Sequence, residues 1–311
     1  MYQNNMTNVK HPTVTIAMCA LNEEANIGQL LTSIFDQETD GFVLEKILLI
    51  SDGSTDKTVE IARTFKSRLF EIKDYKERKG KSFRLNEIYT GVKSDIVVQP
   101  DADVILKSKH VIKDLIAPYA TDKSIGMTGG NALPLPAETF VERAVNLTLA
   151  AYIPFKKTIN NGNNILSATG RLLSLRREVF QNITVPQDTI ANDGFVYFCT
   201  LTQGFKYRFV ETAEVFFRSP QTLHDQISQN TRFSATHTWM KKYFPPEMVD
   251  HEYNIPASEL SRAMLVQFIK HPVLGGYIFL INRYCRLRSW FLKKRINAIW
   301  EVVYSTKSLR K

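Results

Sequence analysis

Short uncharged runs alternate with amphipathic helical patterns along the first hundred residues. The first run is followed by apolar residues at the spacing that gives a helix one buried face, namely Ile27, Leu30, Leu31, Ile34 and Phe35. Strands are predicted at 14–18, 46–50, 69–72 and 96–99, and helices at 27–35, 59–65 and 82–92. This alternation predicts an α/β fold with a Rossmann-like, mostly parallel sheet flanked by helices.

The composition fits one large globular domain with an appendage. Of the 311 residues, 44% are hydrophobic and 23% are charged, which supplies enough apolar surface for a core. The cysteines Cys19, Cys199 and Cys285 stand far apart without a CxxC pair, which favours a reducing compartment over a disulfide framework. Residues 1–12 form a polar tail without the apolar core of a signal peptide, so a cytoplasmic location is expected.

The net charge of +9 is concentrated at the C-terminal end of the chain. Residues 271–311 hold nine Lys or Arg and a single acid, Glu301, so the rest of the chain is close to neutral. An enzyme acting on nucleic acid needs its basic surface on the folded body, beside the chemistry. The charge distribution therefore argues against a nucleic-acid partner.

Two carboxylates, Asp101 and Asp103, follow directly behind the predicted strand 96–99. Open α/β sheets bind ligands at the carboxyl ends of their strands, and residues two apart on an extended backbone face the same side. Both acids then reach one hard divalent cation, which prefers oxygen ligands and bridges to a diphosphate. The alternative is a solvated turn. No GxGxxG or GxxxxGK[ST] motif offers another phosphate site.

Several short motifs stand in the order found in a known enzyme family. They are ALNEE at 20–24, SDGSTD at 51–56, GKSFRLN at 80–86, DAD at 101–103, GR at 170–171, RREVF at 176–180, ND at 192–193 and QNTRF at 229–233. Together they resemble family 2 glycosyltransferases of GT-A fold, and the last is similar to the QxxRW motif of cellulose-synthase-like and hyaluronan-synthase-like members. The resemblance covers about residues 13–235, and joint order and spacing make it specific.

The resemblance implies roles for individual residues. Nucleotide-sugar binding falls to Asn22, Glu24, Asp52, Lys81, Asp101 and Gln229. Mg²⁺ or Mn²⁺ binding falls to Asp101 and Asp103, with His224 as a possible third ligand. Catalysis falls to Asp193 as general base and to Arg232, which would stabilise the departing diphosphate. Structural alternatives remain open, such as an Asx turn for Asp52 and an acidic first helical turn for Glu24.

The proposed base differs from the family pattern in its neighbour. The usual Glu-Asp pair is Asn192-Asp193 here, so the base is retained beside a neutral residue. An N-cap of the following helix is the alternative role of Asp193. Phe233 replaces the Trp of the QxxRW motif, which weakens the case for processive synthesis.

The predicted organisation has three parts. A polar tail covers 1–12, a glycosyltransferase domain covers 13–235 with a nucleotide-binding half at 13–105 and an acceptor half at 106–235, and a helical region covers 236–311. In this last region the uncharged run 271–282 is too short to span a bilayer, and Lys and Arg alternate with Trp, Phe and Leu after it. This C-terminal basic amphipathic helical segment is typical of binding to an anionic membrane surface; packing on the domain is the alternative.

The function implied is transfer of a sugar from a nucleotide sugar, UDP-glucose or UDP-N-acetylglucosamine, to a lipid-linked or polysaccharide acceptor with inversion. This would serve cell-surface glycan synthesis by a cytoplasmic enzyme bound peripherally to the inner face of the membrane. Two alternatives stay open. One is an inactive nucleotide-sugar-binding scaffold, and the other is a nucleotidyltransferase, which would release pyrophosphate instead of a nucleoside diphosphate.

Overall fold

The computed structural model describes residues 11–292, 304–306 and 309. In this part of the chain eight strands form one sheet in the order β3-β2-β1-β4-β7-β6-β8-β5. The strands are β1 Thr13–Ala20, β2 Val43–Asp52, β3 Phe70–Tyr75, β4 Ile96–Pro100, β5 Val104–Leu106, β6 Ile125–Pro134, β7 Leu172–Arg176 and β8 Lys206–Phe217. The predicted strands 14–18, 46–50, 69–72 and 96–99 correspond to β1 to β4.

Twelve α-helices accompany the sheet in the described residues. They are α1 Ile27–Phe35, α2 Thr58–Ala62, α3 Lys81–Gly91, α4 Val111–Ile116, α5 Pro118–Thr121, α6 Phe140–Thr158, α7 Arg177–Phe180, α8 Asn192–Thr202, α9 Leu223–Met240, α10 Pro246–Tyr253, α11 Ala257–Lys270 and α12 Pro272–Leu292. No helix among these residues is both long enough and apolar enough to cross a bilayer.

The central strands are buried on both faces, which explains their uncharged sequences. On β1, Val14, Ile16 and Met18 face one core together with α1 and α4. Ala17, between them, faces a second core that includes α3 and α8. Since alternate strand residues point to opposite faces, each central strand contributes to both cores. Helices therefore cover both sides of the sheet.

The pairing is mixed. The strands β3, β2, β1 and β4 run parallel, whereas β7 is antiparallel to both β4 and β6. The pair β6 and β8 is parallel, and β5 joins β8 antiparallel at the far edge. This confirms the predicted mostly parallel α/β sheet, with an antiparallel insertion that the sequence did not indicate.

The predicted domain limits stay predictions. One continuous sheet runs through both proposed halves, because β5 begins at Val104 and pairs with β8. After residue 235 the described residues lie mostly in helices α9 to α12, and the proposed limit at 235 falls inside α9. Most of the proposed polar tail and the basic cluster at 293–295 lie outside the described residues.

Candidate active site

The turn between β4 and β5 carries Asp101 and Asp103. The chain leaves the centre of the sheet here, because β4 pairs with β1 and β7 while β5 pairs with β8. The buried side chain of Ala102 fixes the turn, and the Asp101 amide donates to the Arg171 carbonyl at 3.2 Å. The prediction of an extended backbone was wrong, since 102–103 form a turn. Both acids nevertheless lie at the carboxyl end of β4.

Lys81 opens helix α3 and reaches Asp101. Its ammonium group forms an ion pair with the Asp101 carboxylate. Burial disfavours the charged ammonium, but the Asp101 carboxylate outweighs it and raises the pKa of Lys81. The nearby Cys19, on β1, has the opposite character, because burial raises the pKa of its thiol to about 12. Lys81 is thus a fixed positive charge at the lip of the site.

Asp52 is buried at the end of β2 and its carboxylate is held by three donors. It accepts hydrogen bonds from the amides of Lys79 and Gly80 at 2.9 and 2.8 Å and from Arg84 Nε at 2.7 Å. Gly53 follows with a positive φ of 79°, where a Cβ would lie 3.0 Å from a backbone nitrogen. These contacts give Asp52 a structural role in shaping the loop before α3. Its contact with a nucleoside stays a prediction.

Asn22 and Glu24 connect the loop after β1 to the loop after β2. Asn22, in the left-handed region at φ 55°, accepts from the Thr55 amide at 2.8 Å. The Glu24 carboxylate accepts from the Lys57 amide at 3.0 Å, and the Glu24 amide donates to Asp56 at 3.0 Å. The alternative of an acidic first helical turn is wrong, because α1 begins only at residue 27. Both side chains hold these two loops together, and their contact with a nucleotide-sugar donor stays a prediction.

Asp193 faces Asp101 across Gly170. The Gly170 amide donates to one Asp193 oxygen at 3.1 Å, and the Gly194 amide donates to the other at 2.9 Å. A methyl group at Gly170 would lie 3.4 Å from Asp101 Oδ2 and 3.7 Å from Asp193 Cβ. The alternative role as N-cap is wrong, because Ala191 holds that position and Asp193 lies in the first turn of α8. The carboxylates predicted to act as base and as metal ligand therefore line one small space.

Two arginines face this acidic space. The Arg171 guanidinium lies 3.5 Å above the Phe217 ring, and Arg232 comes from α9. Burial lowers the pKa of both guanidinium groups, and the same three carboxylates act against this shift in each case, namely Asp101, Asp103 and Asp193. Each carboxylate is thus within electrostatic range of both cations. The site combines three acids with cations suited to a diphosphate.

Helix α3 also holds the loop that leads to the base. Ser82 Oγ and Asn192 Oδ1 lie 2.8 Å apart, with the hydroxyl donating. One turn later, Asn86 donates to the Val185 carbonyl at 2.9 Å and accepts from the Val185 amide at 2.8 Å. The neutral residue that replaces the family's Glu is therefore the acceptor of a specific bond next to Asp193.

The predicted residues His224 and Gln229 both lie on α9. The His224 side chain is 78% exposed and lies beside Asp225 at 3.4 Å. No group of three or more His, Cys, Asp or Glu able to hold a metal occurs within the described residues. His224 is therefore not a third ligand in this arrangement. Gln229 lies one turn before Arg232 on α9, partly buried, and its role stays a prediction.

The chemistry of the donor set fits a hard divalent cation. Asp101 and Asp103 offer carboxylate oxygens at an accessible turn, and no group of three or more His, Cys, Asp or Glu forms a protein-only metal site within the described residues. Mg²⁺ and Mn²⁺ are commonly held by one or two carboxylates, with phosphate and water oxygens completing the shell. Two protein ligands thus match a metal that is shared with a diphosphate.

Sequence reasoning missed several residues of the site. Arg171 was part of a motif without a role, and Ser82 was quoted only as a motif letter. Tyr253, on α10, lies close to Asp193, and its hydroxyl would be 3.6 Å from a methyl group at Gly194. The motif positions of Arg171 and Ser82 could have marked them as site residues. No local pattern marks Tyr253, because its placement depends on the packing of α10.

The chain matches a known protein family and several curated proteins. The family model of glycosyl transferase family 2 matches residues 15–184. The 4,4'-diaponeurosporenoate glycosyltransferases of Staphylococcus aureus strains bovine RF122 / ET3-1 and USA300 are each 32% identical over 122 residues, which is 39% of this chain and 32% of theirs. The matched segment thus spans under half the length of these curated relatives.

Solved structures share the fold at low identity. The mannosyltransferase PcManGT from Pyrobaculum calidifontis, in complex with GDP-Man and Mn²⁺, superposes with a TM-score of 0.58 at 17% identity, covering 91% of this chain and 74% of that one. Glucosyl-3-phosphoglycerate synthase from Mycobacterium tuberculosis, in complex with Mn²⁺, UDP and phosphoglyceric acid, gives 0.53 at 19% identity, covering 74% and 78%. Since the family model matches more than half of the chain, the protein belongs to glycosyl transferase family 2.

Proposed function

We propose that this family 2 glycosyltransferase moves a sugar from a UDP-sugar, UDP-glucose or UDP-N-acetylglucosamine, to an acceptor hydroxyl with inversion of the anomeric carbon. The observation that carries the proposal is the placement of Asp101 and Asp193 on either side of Gly170. One carboxylate is then available to the metal and diphosphate, and the other to the acceptor. The resemblance to nucleotide-sugar enzymes supports the choice of donor.

The mechanism is a direct displacement. Asp193 accepts the proton of the acceptor hydroxyl while that oxygen forms a bond to the anomeric carbon and the bond to the diphosphate breaks. The carboxylate is held by the amides of Gly170 and Gly194, which fix its orientation. General-base catalysis of this kind contributes roughly 10² to 10⁴-fold.

The leaving diphosphate gains negative charge as the bond breaks. Arg232, Lys81 and Arg171 would supply positive charge where this charge develops, because all three lie within electrostatic range of the site aspartates. Asp101 and Asp103 would hold the divalent cation, which supplies Lewis-acid neutralisation of the diphosphate when bound.

The acceptor is proposed to be lipid-linked or a growing surface glycan, and the enzyme to act peripherally at the cytoplasmic face of a membrane. The basic and aromatic composition of the C-terminal region supports this part of the proposal. The described part of the chain contains no membrane-spanning helix, so binding at the surface is the mode that we propose.

A panel of UDP- and GDP-sugars tests the proposal through release of the nucleoside diphosphate with Mn²⁺ or Mg²⁺. We expect release from a UDP-sugar that is lost on chelation of the metal and in the Asp103→Asn variant. Release of pyrophosphate would favour a nucleotidyltransferase. Donor binding without any release, across acceptors and metals, would favour the inactive scaffold.

A further inference from the structure

One side of helix α12 packs against α9. Ile278, Cys285 and Ser289 are buried there, at spacings of seven and four residues. Polar contacts also join α12 to α9, including those from the Tyr277 hydroxyl to Gln226 at 2.6 Å and from Asn230 to Asn282 at 3.2 Å. This side gives α12 its place on the enzyme and leaves the other side facing outward.

The outward side of α12 carries a second apolar stripe. It consists of residues spaced by seven, four, three and four positions, each between 51% and 75% exposed, namely Val273, Leu280, Tyr284, Leu287 and Phe291. At about 100° per residue, this spacing places them in one narrow band along the helix. A helix that only covers the protein surface would be polar on this side. No element covers the band within the described residues.

Helix α11, which packs against α12, also exposes apolar side chains. Leu265 and Ile269 are 58% and 70% exposed, and they belong to the same helical hairpin as α12. The hairpin is closed where Phe268 packs on Gly275, because a methyl group there would lie 2.7 Å from the Phe268 ring. We call the stripe of α12 together with Leu265 and Ile269 the hairpin face. It unites two helices, whereas the sequence drew attention only to the residues after 271.

The charged side chains of α12 are all positive. Arg283, Trp290 and Arg286 are exposed on one flank of the stripe, roughly 80°, 100° and 140° around the helix from its centre. No Asp or Glu occurs from 272 to 292. Trp and Tyr with basic residues around an apolar band are the pattern of a helix lying in a membrane interface.

We propose that the hairpin face is a docking surface for an anionic lipid bilayer, in which α12 lies parallel to the membrane plane. A second copy of the chain is the other occupant that an apolar stripe of this spacing suggests. A two-fold contact through α12 would, however, pack its arginines near their own copies with no acid on the helix to pair them. Anionic headgroups complement these charges directly.

Helix α6 packs against both helices of the hairpin. The ring centroid of Phe140, at the start of α6, lies 5.1 Å from that of Tyr277 on α12. Docking of the hairpin face places the enzyme at the surface where amphiphiles are held. This step rests on the proposed function and names its acceptor class as an amphiphile drawn from the bilayer.

Flotation of the full-length protein with phosphatidylcholine vesicles, with and without phosphatidylglycerol, tests the docking surface. We expect binding only to the anionic vesicles. Leu280→Glu and Leu287→Glu should each weaken it by about tenfold or more, because each removes a buried leucine from the lipid. Arg283→Gln with Arg286→Gln should weaken it by about 30-fold. The matched control is Val43→Glu, which adds the same charge at a half-exposed valine on β2 and should float as wild type.

Three outcomes decide the matter. Flotation lost in the leucine variants and retained in the Val43 control supports the proposal, provided that thermal melts show all variants folded. Unchanged flotation in both leucine variants and in the arginine pair overturns it. A dimer in sedimentation that Leu280→Glu dissociates also overturns it and assigns the face to a second copy.

The proposed catalytic function is tested independently of the docking surface. Asp103→Asn should abolish metal-dependent UDP release while it floats normally. Leu280→Glu should keep the slow release of UDP with water as acceptor and lose transfer to a vesicle-embedded amphiphile. If both activities of Leu280→Glu match wild type, the supply of acceptor from the docked bilayer is refuted even where the chemistry is confirmed.

Discussion

Replacing Arg84 by Met tests the claim that the loop before α3 is held in place by the buried ion pair of Arg84 and Asp52. The Arg84 side chain is 2% exposed, and its guanidinium donates to Asp52 at 2.7 Å, to Glu87 at 2.7 Å and to the Glu77 carbonyl at 2.8 Å. It also stacks 3.8 Å above the Tyr75 ring. Burial disfavours the charged form, but Glu87 and Asp52 more than offset this and raise the pKa of Arg84.

Methionine keeps much of the volume and removes the charge. Asp52 then stays buried with two backbone donors and no cation. Breaking a buried pair by removing one partner costs about 3–5 kcal/mol. At about 2 °C per kcal/mol for a chain of this size, the melting temperature should fall by roughly 6–10 °C. Glu87→Gln is the matched control, because that carboxylate is 26% exposed and its pair should contribute about 1 kcal/mol or less.

Chemical denaturation and calorimetry of the two variants supply the comparison. The double variant Asp52→Asn with Arg84→Met should lose less than the sum of the single losses, because the two groups contact each other directly. Donor affinity should fall with Arg84→Met, since the loop that it holds leads into Lys81. A loss of less than about 1 kcal/mol in Arg84→Met, or equal losses in Arg84→Met and Glu87→Gln, would refute the reasoning.

Three further expectations follow from named contacts. Ser82→Ala removes the hydrogen bond to Asn192 and should lower kcat about tenfold with the donor KM unchanged. Ser82→Thr keeps the hydroxyl and should retain the wild-type kcat. An unchanged kcat in Ser82→Ala would contradict a role of Ser82 in positioning Asp193. The Cys19 thiol, with its pKa raised to about 12, should react with iodoacetamide at pH 8 far more slowly in native than in urea-unfolded protein, as mass spectrometry can show. Burial raises the pKa of Asp225, but hydrogen bonds led by that from Ser305 lower it overall. Its contribution to stability is therefore present above its ordinary pKa of 3.8 and lost as the pH falls through the lowered value. Acid titration of melting temperatures should show this loss, and Asp225→Asn should remove it; identical acid profiles would be evidence against it.

The parallel half of the sheet could be predicted from the sequence because β1, β2 and β4 are buried on both faces. Such strands read as uncharged runs, and their helices show one apolar face. The antiparallel insertion of β7 between β4 and β6 left no such signal, since its pairing joins residues far apart in sequence. The sheet order therefore needed the structure.

The candidate site was also predictable only in part: motif residues could be named from the sequence, but their tertiary contacts could not. The aspartates at 101, 103 and 193 are candidates from the sequence because motif order marks them, and the structure places them within electrostatic range of the same two arginines. Their roles stay predictions. The partners of Asp52 were not predictable, since Arg84 arrives from 32 positions later in the chain. The outward stripe of α12 was likewise hidden, because the sequence shows the apolar positions but not which of them α9 covers.

Steady-state release of UDP from a UDP-sugar in the presence of Mn²⁺, compared between wild type, Asp193→Asn and Asp103→Asn, tests the central claim most directly. We expect Asp193→Asn to bind donor normally and to lose roughly 10² to 10⁴-fold in turnover. Asp103→Asn should lose metal-dependent donor binding as well. Wild-type turnover in Asp193→Asn, or metal-dependent donor binding unchanged in Asp103→Asn, would contradict the account.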